Sequence, residues 1–190
     1  LNRENIVSLL QEENKARAQV TFAYAFDNKY TDPIDPFTIN LTDANGFSVT
    51  FKAATSIVGG ATGTAKKISS SLYEFLVPDY TQAGSKNSEK SKTDLARNLE
   101  SAILLAKSEG DLNIDPQIDG QIRNQVDLVQ RNAGSSGNTS IVVNLDDEES
   151  IFKQDFIGGE SNGYLVRNNW SGRDKAPLTS DSTYQNRNGA

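Results

Sequence analysis

Asp146-Asp147-Glu148-Glu149 sets four carboxylates in a row. Carboxylates do acid–base or metal chemistry when two of them face each other across a cleft in different environments. Adjacent positions in an exposed turn give similar, solvated acids, so this run reads as a solubilising or intersubunit charge patch. Asp111, Asn113 and Asp115 have the opening spacing of a calcium loop. Pro116 replaces the glycine of the sharp turn and Ile122 replaces the bidentate glutamate, so no helix–loop–helix calcium site is expected. The stretch from Gly59 to Lys67 approximates a phosphate-binding loop. Counted from Gly60, the second required glycine is Ala65, and Lys67 stands where Ser or Thr would hold magnesium. A flexible loop with two solvated lysines is the expectation. Ser135 and Ser136 lie in a glycine-rich stretch with no histidine anywhere to activate them. A Ser-Lys arrangement is formally open, but no particular lysine is indicated. Asn40-Leu-Thr42, Asn138-Thr-Ser140 and Asn169-Trp-Ser171 fit glycosylation acceptors and read as chance matches without a secretory signal.

Composition removes most of the remaining catalytic repertoire. The 190 residues include no cysteine and no histidine. Disulfides, thiolate nucleophiles, sulfur-bound zinc and imidazole acid–base chemistry are therefore excluded. Acids outnumber bases 25 to 19, giving a net charge of −6. Nucleic-acid binding needs clustered Lys and Arg, so a nucleic-acid partner is not expected. No apolar run approaches the ~20 residues of a membrane span, and no membrane partner is expected. No catalytic set, cofactor or metal site emerges, and a binding or structural role fits best.

The elements that must position any site follow from periodicity. Residues 1–17 form a first segment, with a short apolar stripe of Ile6, Leu9 and Leu10 predicting a helix from Asn2 to Arg17. Such a helix is marginal alone and must dock, on its own domain or on a neighbour. From Ala18 the pattern alternates through Val20, Phe22, Tyr24 and Phe26, which predicts a half-buried strand. The prolines between Thr31 and Pro36 mark a turn. Phe37-Thr-Ile-Asn-Leu41 and Phe47, Val49 and Phe51 flank Asn45-Gly46, the strongest hairpin signal in the chain. Strands are expected over Leu72–Val77, Leu112–Ile114, Gln121–Gln130, Ser140–Leu145 and Ile151–Ile157. A helix opening near Ser91 buries Leu95, Leu99, Ala102, Ile103 and Ala106, exposes Arg97, Glu100, Ser101 and Lys107, and stops at Gly110. Residues 18–159 thus read as an α+β domain, an antiparallel β-sheet with one long helix packed on a face.

Residues 160–190 differ. Eight of these thirty-one are apolar, without period, and four bases stand against three acids. Such a segment does not order itself, and an extended C-terminal arm held by another subunit is expected, with wrapping of its own domain as the alternative. Trp and Arg are favoured interface anchors. Trp170, between Arg167 and Arg173, is the expected hot spot, with Tyr164, Leu165, Leu178 and Tyr184 as further contacts.

Some of these features share an order with a known kind of domain. Phe37-Thr-Ile-Asn-Leu-Thr-Asp43 runs through Gly46 to Thr50-Phe51, and Leu95 to Ala106 is the single helix. Val126-Asp-Leu-Val-Gln130 follows, then Gly134-Ser-Ser-Gly137-Asn138-Thr139-Ser-Ile141, then Asp155-Phe-Ile-Gly-Gly159. In this order they resemble a structural domain of virion proteins of tailed phages, especially marine and cyanobacterial ones. The resemblance implies a building block of the particle, located in the virion, partnered by other virion proteins and homo-oligomeric, with no catalytic residues to carry over. The stretches 59–71 and 82–91 and the C-terminal segment depart from that pattern. Decoration or cementing of the capsid through terminal contacts is the first expectation. A tail, neck or fibre component is the alternative, and a host-glycan-binding module a further one.

Overall fold

The computed structural model describes residues 15–23, 37–60, 63–77, 89–118, 120–145 and 151–160, with backbone alone for 89–91. These form β1 (Arg17–Phe22), β2 (Thr38–Thr42), β3 (Ser48–Ala54), β4 (Ala65–Ser69), β5 (Leu72–Leu76), α1 (Glu89–Ser108), β6 (Ile114–Ile118), β7 (Gln125–Gln130), β8 (Val142–Asn144) and β9 (Ile151–Ile157). The expected helix over 1–17 lies outside the described residues up to position 14, and by Arg17 the chain is already strand. The expected strand stops at Phe22, and Tyr24 and Phe26 lie outside the described residues.

The class is α+β, with two sheets where the sequence predicts one. The first sheet has strand order β6-β7-β1-β9 and is antiparallel throughout. The second has order β4-β5-β3-β2-β8, and in it β3 and β5 run parallel. Alternation cannot separate one sheet from two, because each inward residue needs only an apolar layer opposite it. Val20, Phe22, Val126 and Leu128 on one sheet, and Ile39, Leu41, Val49, Phe51, Tyr73 and Phe75 on the other, are fully buried. Phe37 meets Phe75 edge-on with ring centroids 5.5 Å apart, a favoured aromatic geometry.

The helix α1 packs on both sheets, against β4 and β5 on one side and β6 and β7 on the other. Its expected stripe of Leu95, Leu99, Ala102, Ile103 and Ala106 is buried, with Ala96 beside it. Buried Asn98 donates its side-chain amide to the Leu76 carbonyl at 2.7 Å, tying the helix to β5. Glu100 is half-buried where full exposure was expected. Burial raises its carboxyl, and the Ile118 backbone and Arg97 oppose that shift. The helix stops at Gly110 as expected, where φ is +78°, a conformation only glycine adopts without strain.

Three local expectations shift. Residues 65–67, expected in a loop, belong to β4, because Ala65 is buried and the strand pairs with β5 across a tight turn. The strand expected over Leu112–Ile114 runs instead from Ile114 to Ile118, with Pro116 tolerated because β6 is an edge. Phe47, expected to alternate with Val49 and Phe51, is 59% exposed, since the Asp43 carboxylate and carbonyl bend the turn before it.

Candidate functional site

Two polar clusters organise the molecule, and the first lies at the end of α1. Tyr73 is fully buried, and its hydroxyl donates to Asp111 Oδ2 at 2.5 Å. Lys67, opposite Tyr73 in the β4–β5 pair, reaches the same oxygen at 2.7 Å and Glu109 Oε2 at 3.1 Å. The hydrogen bond to Asp111 holds the Lys67 ammonium well above its ordinary range, opposed by desolvation and helped by Glu109. Burial, together with Asp111, pushes the Tyr73 hydroxyl up. Lys67 and Tyr73 together push the Asp111 carboxyl down. Each group is driven deeper into its ordinary charge state at neutral pH. A general acid or base needs the reverse, a pKa drawn toward neutrality. The cluster is a clasp fastening the end of the helix to β4 and β5.

The expectation of two solvated lysines is thereby corrected for Lys67. The calcium-like triplet is likewise taken up in structure. Asp111 holds Tyr73 and Lys67, Asp115 pairs with Lys107 and with Arg131, and the Asn113 backbone N–H donates to Asp43 Oδ2. Among the described residues no group of three acidic side chains gathers in metal-binding geometry.

The second cluster is a corner where five stretches of chain meet. Asp43 is buried. Its Oδ1 accepts the backbone N–H of Asn45 at 2.8 Å and of Phe47 at 3.1 Å, and its Oδ2 accepts that of Asn113 at 2.9 Å. Gln130 is fully buried at the end of β7. Its Oε1 accepts the Ala44 N–H at 2.9 Å and its Nε2 donates to the Thr42 carbonyl at 3.0 Å. Thr139 Oγ1 donates to the same carbonyl at 2.6 Å. These bonds join the β2–β3 turn of one sheet to β7 of the other.

At the same corner the chain enters β1 and leaves β9. The Ala16 carbonyl accepts the Gln130 N–H at 2.9 Å. Asn138 uses both ends of its amide on one residue, donating to the Gly159 carbonyl at 3.0 Å and accepting the Gly159 N–H at 2.8 Å. Gly159 permits this close approach. A Cβ there would stand 2.4 Å from the Gly134 carbonyl oxygen and 3.1 Å from Ala16 Cβ. Gly137 is wedged similarly between Gln130 and Ala16. The two glycine motifs quoted from the sequence, Gly134–Thr139 and Phe156–Gly159, are thus the two halves of one joint. A bulge in β9 sets Asp155 and Phe156 opposite Ala18, and Asp155 Oδ1 accepts the Ile141 N–H at 2.9 Å. The Lys153 ammonium and the Ile141 N–H hold the Asp155 carboxyl below its usual range.

The other sequence-stretch candidates disperse. Ser135 and Ser136 are exposed on a short 3₁₀ turn, and Asn40 and Asn138 are engaged in side-chain hydrogen bonds. Asp146 to Glu149 lie outside the described residues, as do the expected contacts Tyr164, Leu165, Arg167, Trp170, Arg173, Leu178 and Tyr184. Tyr73, the one tyrosine among the described residues, is buried and lines no groove. Sequence reasoning missed Gln130, Asp43 and Ala16. The available signal was Gln130 itself, a polar residue in the inward register of Val126 and Leu128. No described helix is long and apolar enough to cross a membrane. Comparison with protein-family models, curated proteins and solved structures found no match to this chain.

Proposed function

We propose that this chain is a non-catalytic structural subunit of a tailed-phage particle, a decoration or cement protein of the capsid that grips its neighbours through its terminal segments. The observation that carries this reading is the joint of Ala16, Asn138 and Gly159. Residues 1–14 and 161–190 both attach to the body at that joint, whose buried glycines and bidentate amide fix the point of departure. A subunit that must reach several seams of a symmetric shell gains from a rigid body with its terminal segments anchored together, since contacts of ~1–2 kcal/mol each combine through high effective concentration. The charged clusters support a structural role as well, because the shifts at Lys67, Tyr73 and Asp111 run away from catalytic readiness.

The test is a chain ending at Glu160, which keeps the Asn138–Gly159 joint. It is expected to fold with an unchanged circular dichroism spectrum and to be absent from purified particles that incorporate the full chain. Particles carrying the shortened chain at full copy number would refute the proposal.

A further inference from the structure

The first sheet has two unlike faces. Its inner-face residues lie buried in the core shared with the helix and the second sheet, while no described element covers its outer face. There a depression of about 390 Å³ is lined by Arg17, Gln19, Gln117, Val129, Gln154 and Ile157. Ile157 is 56% exposed, and Phe152, on the same face of β9, is 57% exposed. Three glutamine amides offer donors and acceptors together, which suits the backbone of an extended peptide, while Val129, Ile157 and Phe152 offer apolar contact.

We propose that this outer face is the seat for residues 161–190 of a second copy of the chain. The inference rests on the structural reading above and names the partner surface for its C-terminal segment. Three observations lead to it. The segment leaves the body at Gly159, two residues beyond Ile157 on the rim of the depression. Charge is complementary: residues 161–190 hold four bases and two acids, net +2, whereas the first 160 residues hold fifteen bases and twenty-three acids, net −8. Bodies of that charge repel one another, and a cationic segment laid between them offsets the repulsion. Length allows a second copy. Thirty extended residues span up to about 100 Å, whereas four strands about 4.8 Å apart make a face roughly 20 Å wide. At that length the segment can span beyond its own face, and because every copy carries both seat and segment, such a contact propagates head to tail.

Trp170 is the only tryptophan and lies in this segment, so its fluorescence reports the segment alone. Emission and acrylamide quenching of the full chain are measured across concentration, alongside sedimentation. The expected result is a blue shift and reduced quenching that rise together with self-association. Val129→Lys and Ile157→Lys, which remove apolar contact and add like charge, should each weaken both at least tenfold without changing the circular dichroism spectrum. Gln117→Arg, at an exposed position where folding is safe, should act in the same direction by opposing the cationic segment. Shielding of Trp170 in the monomer would overturn the proposal in favour of the chain's own segment. Association unaffected by all three variants would place the seat elsewhere while leaving the structural reading intact, since that reading stands or falls on incorporation of the shortened chain. No self-association at any concentration would also overturn the inference.

Discussion

Gly159 shows how much a single missing methyl group decides. A Cβ at this position would press on a backbone oxygen, which cannot swing aside as a flexible side chain does. Gly159→Ala is expected to lower unfolding stability by about 2 kcal/mol, the usual scale of overpacking a tight site, measurable as an earlier urea midpoint with unchanged slope. At this scale the sequence was legible in part. The glycine motifs stood out as unusual pairs, yet nothing in their spacing revealed that they touch, because the contact spans twenty-one positions and depends on the bidentate amide of Asn138. The buried roles of Asp43 and Gln130 were hidden for a similar reason. Their partners are chiefly backbone groups of the β2–β3 turn and of the loop before β6, and backbone groups leave no trace in residue types.

At the scale of the element, the end of α1 is held by chemistry whose pH dependence follows from its shifts. Lys67 and Tyr73 are both raised in the folded chain. Their contribution is complete below their ordinary values near pH 10 and declines as pH rises from there toward the folded values. Asp111 and Asp155 are lowered, so their contribution is complete above about pH 4 and is lost as pH falls below it. Tyr73→Phe is expected to cost about 1 kcal/mol at pH 7, the net worth of one hydrogen bond, to make the alkaline decline shallower, and to reduce Asp111's share of the acid limb while leaving that of Asp155. Thermal denaturation between pH 3 and 11 checks both limbs. The helix itself was legible almost to the residue, since its stripe and its stopping glycine are local signals. The clasp was not, because Lys67 stood in a stretch read as a loop, and only its pairing with Tyr73 brings it beneath the helix end.

For the whole molecule, the position of α1 against both sheets makes the core one unit. Leu99 is fully buried in the stripe that faces them. Leu99→Ala is expected to cost 2–5 kcal/mol, roughly the range for such truncations, and to lower one calorimetric transition, because neither sheet keeps its covering without the helix. Two separate transitions would contradict that. The α+β class was legible from the change of period along the chain, but the division into two sheets and the parallel β3–β5 pair were not. Which strand neighbours which is settled by the common core. The joint of Ala16 and Gly159 bears finally on mechanics. β1 begins where β9 ends, and Arg17 lies beside Ile157 in an antiparallel ladder. Tension drawing the two ends in opposite directions would open that ladder rung by rung, the weakest way to strain paired strands. Tension drawing both ends the same way would leave the ladder slack and pass instead through the Asn138 amide and the Ala16 carbonyl. The more durable loading of this joint is therefore the one in which both ends are drawn toward the same side.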